Sequence, residues 1–386
     1  MIDFTSALYL GMRHASGTLP RWDTLTEGVP AALRVAHAAP RFEHELAALQ
    51  GREGCIAMTS TLHAILDLVG WLAKPDTLML ADAGAYTITW WGLERALARG
   101  VPVLRFPHND PASLRKLLER HASRRRCRPA VFIDGVWPDG GCVAPYAELL
   151  NVVRAWGGVL VADDTQALGI LGHGPSRAQP YGCGGGGSLR WLGLDVPDVI
   201  TVTSCAKAFG VPVAAISGAQ SVIDDLRGQA LTRVHCSPPS NAHLCAGLAA
   251  MALNRLSGEK LRARLLRNLL CLRERLHAVG IETFGGLFPV QTLDLGGLRA
   301  VDLFKALAAR GIEAVLRRPY GSAVPQLSFI VTASHELDEI DFAAAEIERA
   351  LRRMPRPRAH SRPFRRDVCY RVTAVRRHDA SVAHGR

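Results

Sequence analysis

Between residues 78 and 203, short apolar runs alternate with helical periodicity. The runs at 78–81, 101–105, 130–133, 159–162 and 199–203 read as strands. The stretches at 61–72, 87–99, 114–120 and 146–156 read as the helices between them. Another helix covers 41–49, with Phe42, Leu46 and Leu49 on one face. Parallel strands need long crossover connections, and a helix is the usual one. Strands apolar on both faces also need cover on both faces. The pattern therefore predicts an α/β fold: a large domain with a mostly parallel sheet between two helical layers.

From residue 241 the pattern changes. Helices are expected at 241–257 and 259–278, then a strand at 290–295, a helix at 300–310, strands at 313–316 and 327–331, and a helix at 335–353. Ser334 is the expected N-cap of the last helix. This reads as a smaller α+β C-terminal domain. The organisation expected is an arm at 1–40, a large domain at 41–240, a small domain at 241–353 and a basic, disordered tail at 354–386.

Charge is concentrated in that tail. Of a formal +11, residues 352–386 supply 11 Arg against 2 Asp, which leaves the body almost neutral. A nucleic-acid-binding body is therefore not expected. The tail has two readings, a solvated extension or an arginine-rich arm that steers an acidic carrier protein. No apolar run approaches the ~18–20 residues of a membrane span, and no signal peptide is recognised, so a cytoplasmic protein is expected. The nine cysteines form no CxxC pair. No metal site is expected, and scattered reduced thiols are.

Three places carry chemistry. Lys207 follows the strand at 199–203 in a run of small residues, and only five lysines occur in the chain. A desolvated lysine there favours Schiff-base formation, whereas a surface loop lysine would do nothing. The strand at 159–162 runs into Asp163 and Asp164, at the strand end where open α/β sheets bind ligands. A carboxylate there suits a protonated pyridine nitrogen, or else forms an ordinary acidic loop. Thr59, Ser60, Thr61 and Leu62 open a helix, which makes either a phosphate cradle or an ordinary cap.

In this order the three resemble the α-oxoamine synthases, pyridoxal phosphate (PLP) enzymes of aminotransferase fold type I such as 8-amino-7-oxononanoate synthase and glycine C-acetyltransferase. The resemblance runs from about residue 3 to about residue 350. Its matching stretches include Asp3-Phe4-Thr5-Ser6, the segment 105–110, the segment 134–140, Ala162-Asp163-Asp164, the segment 204–210, Ser237-Pro238-Pro239 and the segment 332–336. It implies that Lys207 binds the cofactor covalently and then serves as acid and base. It implies that Asp163 pairs with the pyridine nitrogen and that Tyr86 stacks on the ring. Gln166 then stands in for a histidine at the phenolic oxygen. Ser60, Thr61 and Leu62 hold the phosphate, Thr203 lies close by, and His235 or Ser237 reaches a phosphate across a dimer interface.

The sequence departs from this family at several points. Pro138 replaces a hydroxyl residue near the ring. Asp163 and Lys207 are 44 positions apart, more than the family spacing, and the added residues include 182–188, a Gly-rich candidate flap. Ser328 stands where the family has an arginine that clamps the substrate carboxylate, and Arg317 or Arg318 could substitute. The implied activity is condensation of an amino acid with an acyl thioester, on coenzyme A or acyl carrier protein, by a homodimer. The alternatives are another PLP reaction on the same scaffold (transamination, decarboxylation or retro-aldol cleavage) and a PLP-binding regulator.

Overall fold

The computed structural model describes residues 1–121, 127–138, 140–295, 297–318, 324–354 and 370–371. Seven strands form the large sheet: β1 (Gly54–Met58), β2 (Thr77–Asp82), β3 (Val103–Phe106), β4 (Arg128–Asp134), β5 (Val159–Asp163), β6 (Val199–Ser204) and β7 (Ala214–Gly218). Their spatial order is β1-β7-β6-β5-β4-β2-β3. All neighbours are parallel except β7, which runs antiparallel to β1 and β6. Side chains alternate between two buried layers. Leu80, Val131, Ile133 and Leu160 enter one, and Met79, Ala130, Phe132 and Val161 enter the other. Both faces of the sheet are therefore covered, as the apolar runs require.

The cover comes from α1 (Ala39–Gln50), α2 (Thr61–Leu72), α3 (Thr87–Ala98), α4 (Pro111–His121), α5 (Tyr146–Arg154), α6 (Ser188–Leu192) and α7 (Gln220–Gln229). Four of these elements lie outside the expected set: β1, β7, α6 and α7. The two strands are five residues each and rich in Gly and Ala, so neither carries a β-branched signature.

Helix α8 (Asn241–Ala278) corrects the expected break near residue 258, because it is one continuous helix of 38 residues. Gly258 sits inside it where a Cβ would lie 2.3 Å from Asn254 Oδ1, so the glycine makes room for a neighbour and ends nothing. The second sheet contains β8 (Thr283–Phe284), β9 (Val290–Leu293), β10 (Val315–Arg317) and β11 (Gln326–Ile330), in the order β8-β9-β11-β10 and antiparallel throughout. It is accompanied by α9 (Gly297–Ala308) and α10 (Leu337–Arg353). Ser334 does not cap α10. Glu336 does, and its own backbone N–H donates to the Glu339 carboxylate at 3.0 Å in a capping box. The backbone N–H of Ser334 instead bonds Thr332 Oγ1, inside the turn before the helix.

The first residues lie along the second sheet. Ile2 and Asp3 pair in parallel with Ile312 and Glu313, and Ala333 donates to the Tyr9 carbonyl. Phe4 stacks on His335 and meets Phe329 edge-on. The Gly-rich segment is packed and does not form a flap. Gly172 and His173 pair with Tyr181 and Cys183 through backbone bonds, and Gly184 is held from α8 by Asn254 and Glu259. Cys142 is disulfide-bonded, against the expectation of reduced thiols, while Cys55, Cys205 and Cys245 are free and buried. The expected disorder of the tail falls outside the described residues, apart from Tyr370–Arg371, which pairs with Cys142 and Val143. Among the described residues no helix is long and apolar enough to cross a membrane.

Candidate active site

Parallel strands bring their carboxyl ends to one edge of the sheet. Here that edge gathers Asp82, Asp134 and Asp163 at the last residues of β2, β4 and β5, and Lys207 three residues beyond β6. Register places Asp134 directly beside Asp163 and pairs Asp163 with Val202. Lys207 feels the charge of both carboxylates. Burial pushes its ammonium below the ordinary lysine value, and Asp163 and Asp134 push it back up. A lysine balanced in this way has the neutral amine within reach, as Schiff-base chemistry needs.

Asp163 is raised by burial, then lowered by hydrogen bonds from Thr165 and by the charge of Lys207. The Thr165 backbone N–H donates to Asp163 Oδ1 at 3.0 Å, and Thr165 Oγ1 accepts from the Ser204 N–H at 3.0 Å. Asp164 points away from this edge. It is buried, accepts from the Ser188 N–H at 2.9 Å, and is pushed up to about 7 by burial. The two adjacent acids thus have different environments, and Asp163 is the one that faces Lys207.

The start of α2 supplies an anion site. Ser60 is its N-cap in extended conformation, and its Oγ accepts from the His63 N–H. The amides of Thr61 and Leu62 precede the first intrahelical bond, so they point out of the helix start. Thr59 Oγ1 donates to the Ser237 carbonyl at 3.3 Å, which brings the 235–237 segment to the same helix start within one chain.

Thr203 is fully buried, and its Oγ1 has no hydrogen-bond partner. Gln166 Oε1 accepts from Tyr9 Oη at 2.6 Å, a bond that leaves its amide nitrogen to donate elsewhere. The backbone N–H of Tyr86 donates to Asp134 Oδ1 at 3.1 Å, and its side chain is 58% exposed. An orphaned buried hydroxyl, an amide side chain with its nitrogen uncommitted, a helix start and a lysine between carboxylates are the donor set that PLP requires.

Ser328 lies apart from this edge, on β11. It is buried, shares a 2.8 Å bond with Thr292 Oγ1, and accepts from Arg317 Nε at 3.2 Å. Arg318 is exposed. Arg317, not Arg318, is thus the arginine beside Ser328. Asp134, Thr165 and Tyr9 were not singled out from sequence. Asp134 lay inside the recognised segment 134–140, but only three-dimensional register reveals that it adjoins Asp163.

The aminotransferase class I and II family profile matches residues 33–347. An 8-amino-7-oxononanoate synthase of Sodalis glossinidius is 30% identical over 353 residues, covering 88% of this chain and 85% of that protein. Among solved structures, a serine palmitoyltransferase of Sphingomonas wittichii superposes with a TM-score of 0.78 at 20% identity, covering 90% of this chain and 86% of that one. An 8-amino-7-oxononanoate synthase of Francisella tularensis superposes with a TM-score of 0.69 at 20% identity, covering 91% and 98%. With this fold, this strand-edge arrangement and these matches, the chain belongs to the aminotransferase class I and II family and is a PLP-dependent enzyme of fold type I, of the α-oxoamine synthase kind.

Proposed function

We propose that this enzyme condenses an amino acid with an acyl thioester, releasing CO₂ and a thiol and forming an α-amino ketone. The observation that carries the reading is Lys207 held at the sheet edge under the charge of Asp163, together with the helix start at Ser60 that follows the strand ending at Met58. Bound there, PLP supplies an electron-poor ring that accepts negative charge from the substrate's α-carbon. In this reading Asp163 holds the ring nitrogen protonated, and Gln166 donates to the phenolic oxygen. Ser60, Thr61 and Leu62 hold the phosphate, with Thr203 beside them. Tyr86 covers the ring. Lys207 takes the α-proton and later returns one to the product. The names carried by the Sodalis and Sphingomonas proteins support this reaction class.

Incubation of the purified enzyme with candidate amino acids, with and without acyl-coenzyme A or acyl carrier protein, tests it. Thioester-dependent CO₂ release and ketone formation are expected. CO₂ release or amino transfer at the same rate without thioester would overturn the reading. It would favour another PLP reaction, for which Ser328 in place of an arginine is the specific argument. Ser328 with Arg317 is proposed as the substrate-carboxylate side of the site, in place of the exposed Arg318. We further propose a cytoplasmic homodimer, consistent with the open Tyr86 ring, with the arm at 1–40, large domain at 41–240, small domain at 241–353 and tail at 354–386.

A further inference from the structure

A second acid stands in the site without a role in the reaction just described. Asp134 ends β4 beside Asp163, in direct register across a parallel pair. Its Oδ1 accepts the Tyr86 backbone N–H at 3.1 Å. It therefore touches the segment that carries the Tyr86 ring on one side and adjoins the Asp163–Lys207 pair on the other. We propose that Asp134 is a positioning residue of the cofactor site, fixing the Tyr86 backbone and setting the negative charge that faces Lys207.

Two like acids this close cannot both ionise freely. Burial, and then the charge of Asp163, hold the Asp134 carboxyl well above the ordinary aspartate range. The groups around it are Asp163 on β5, Asp82 on β2, Lys207 after β6 and the Tyr146 hydroxyl on α5. The lysine is the only cation among these. The pair Asp134–Asp163 thus holds a proton more tightly than a lone exposed aspartate would and gives it up as pH rises, adding a second negative charge opposite Lys207. That charge favours a protonated nitrogen at Lys207, so the nitrogen should lose its proton later and over a wider pH range than beside Asp163 alone.

The inference rests on Lys207 being the residue that binds PLP. The experiment uses the full chain loaded with PLP and follows the visible imine band against pH. In Asp134→Asn the acceptor for the Tyr86 N–H is retained and the ionisable group is lost. The band should persist, and its titration should become a single step with a midpoint lower by about half a unit or more. In Asp134→Ala the Tyr86 tether is lost as well, and PLP affinity should fall about tenfold. If Asp134→Ala does not fold, Asp134→Asn decides alone. A wild-type midpoint and width in Asp134→Asn would overturn the proposal while leaving Lys207 in place. Absence of any imine band in the wild type would instead overturn the reading of Lys207 itself.

Discussion

The Ser204 backbone N–H donates to Thr165 Oγ1 at 3.0 Å, tying the turn after Asp163 to the strand end that leads to Lys207. The same threonine donates its own N–H to Asp163 Oδ1. One residue therefore links Asp163 to the strand end that leads to Lys207, although 44 positions of sequence separate the two charged groups. Thr165→Val keeps the shape and removes the hydroxyl. Stability in urea should fall by about 1–2 kcal/mol, and PLP should bind more weakly. A variant with wild-type PLP affinity would show that the tie is incidental.

Asp164 is expected to make stability depend on pH in an uncommon direction. Its carboxyl is pushed up to about 7 by burial, and its Oδ1 has no partner. An acid raised in the folded state stabilises most below its unfolded value and loses that contribution as pH climbs through the folded value. The loss runs from about pH 4 to about pH 7 and reaches ~3–4 kcal/mol. Asp164→Asn removes it, so the variant should gain on the wild type steadily across that window in the PLP-free protein. A constant difference between the two from pH 4 to 8 would contradict the assignment.

Two glycines near the inserted segment separate crowding from backbone conformation. A Cβ on Gly172 would sit 1.8 Å from the Cys183 carbonyl oxygen. At Gly184 nothing comes closer than 3.7 Å, but φ is +85°. Gly172→Ala should cost several kcal/mol or prevent folding. Gly184→Ala should cost about 1 kcal/mol from conformation alone. Thermal unfolding of both variants provides the comparison, and equal losses would mean that the 172–183 pairing is looser than described.

On the second sheet, Arg317 reaches Ser328 and Thr292, whereas Arg318 faces solvent. If the carboxylate of the amino substrate is gripped here, Arg317→Gln should raise KM for that substrate at least ~10-fold, the loss of a charged hydrogen-bonded pair. Arg318→Gln should change it less than about twofold. Equal effects of the two variants would remove Arg317 from the substrate site.

Much of this site was legible in the sequence because its parts lie at strand ends, where apolar runs stop abruptly at a polar residue. Asp163 and Lys207 stood out in that way. The Thr61–Leu72 helix was legible to the residue, since Ser60 marks its start. Legibility failed where the signal is not local. β1 and β7 are built from small residues and take their strand conformation from their neighbours in the sheet. Gly258 resembles a helix stop, but the glycine is there to clear Asn254. Asp134 lies in a recognised stretch, yet its importance comes from its register partner on β5. Ser334 is a better cap by residue type, but Thr332 and His335 hold the preceding turn so that the helix begins after Glu336.

The account depends above all on Lys207 forming the covalent link to PLP. Spectra of the purified wild type and of Lys207→Ala, each mixed with PLP and then treated with borohydride, followed by peptide mass spectrometry, test this directly. The wild type should show a visible imine band that borohydride abolishes, with the reduced adduct on the peptide containing Lys207, and the variant should show neither. A stable adduct on Lys74, Lys116, Lys260 or Lys305, or an unchanged band in Lys207→Ala, would contradict it.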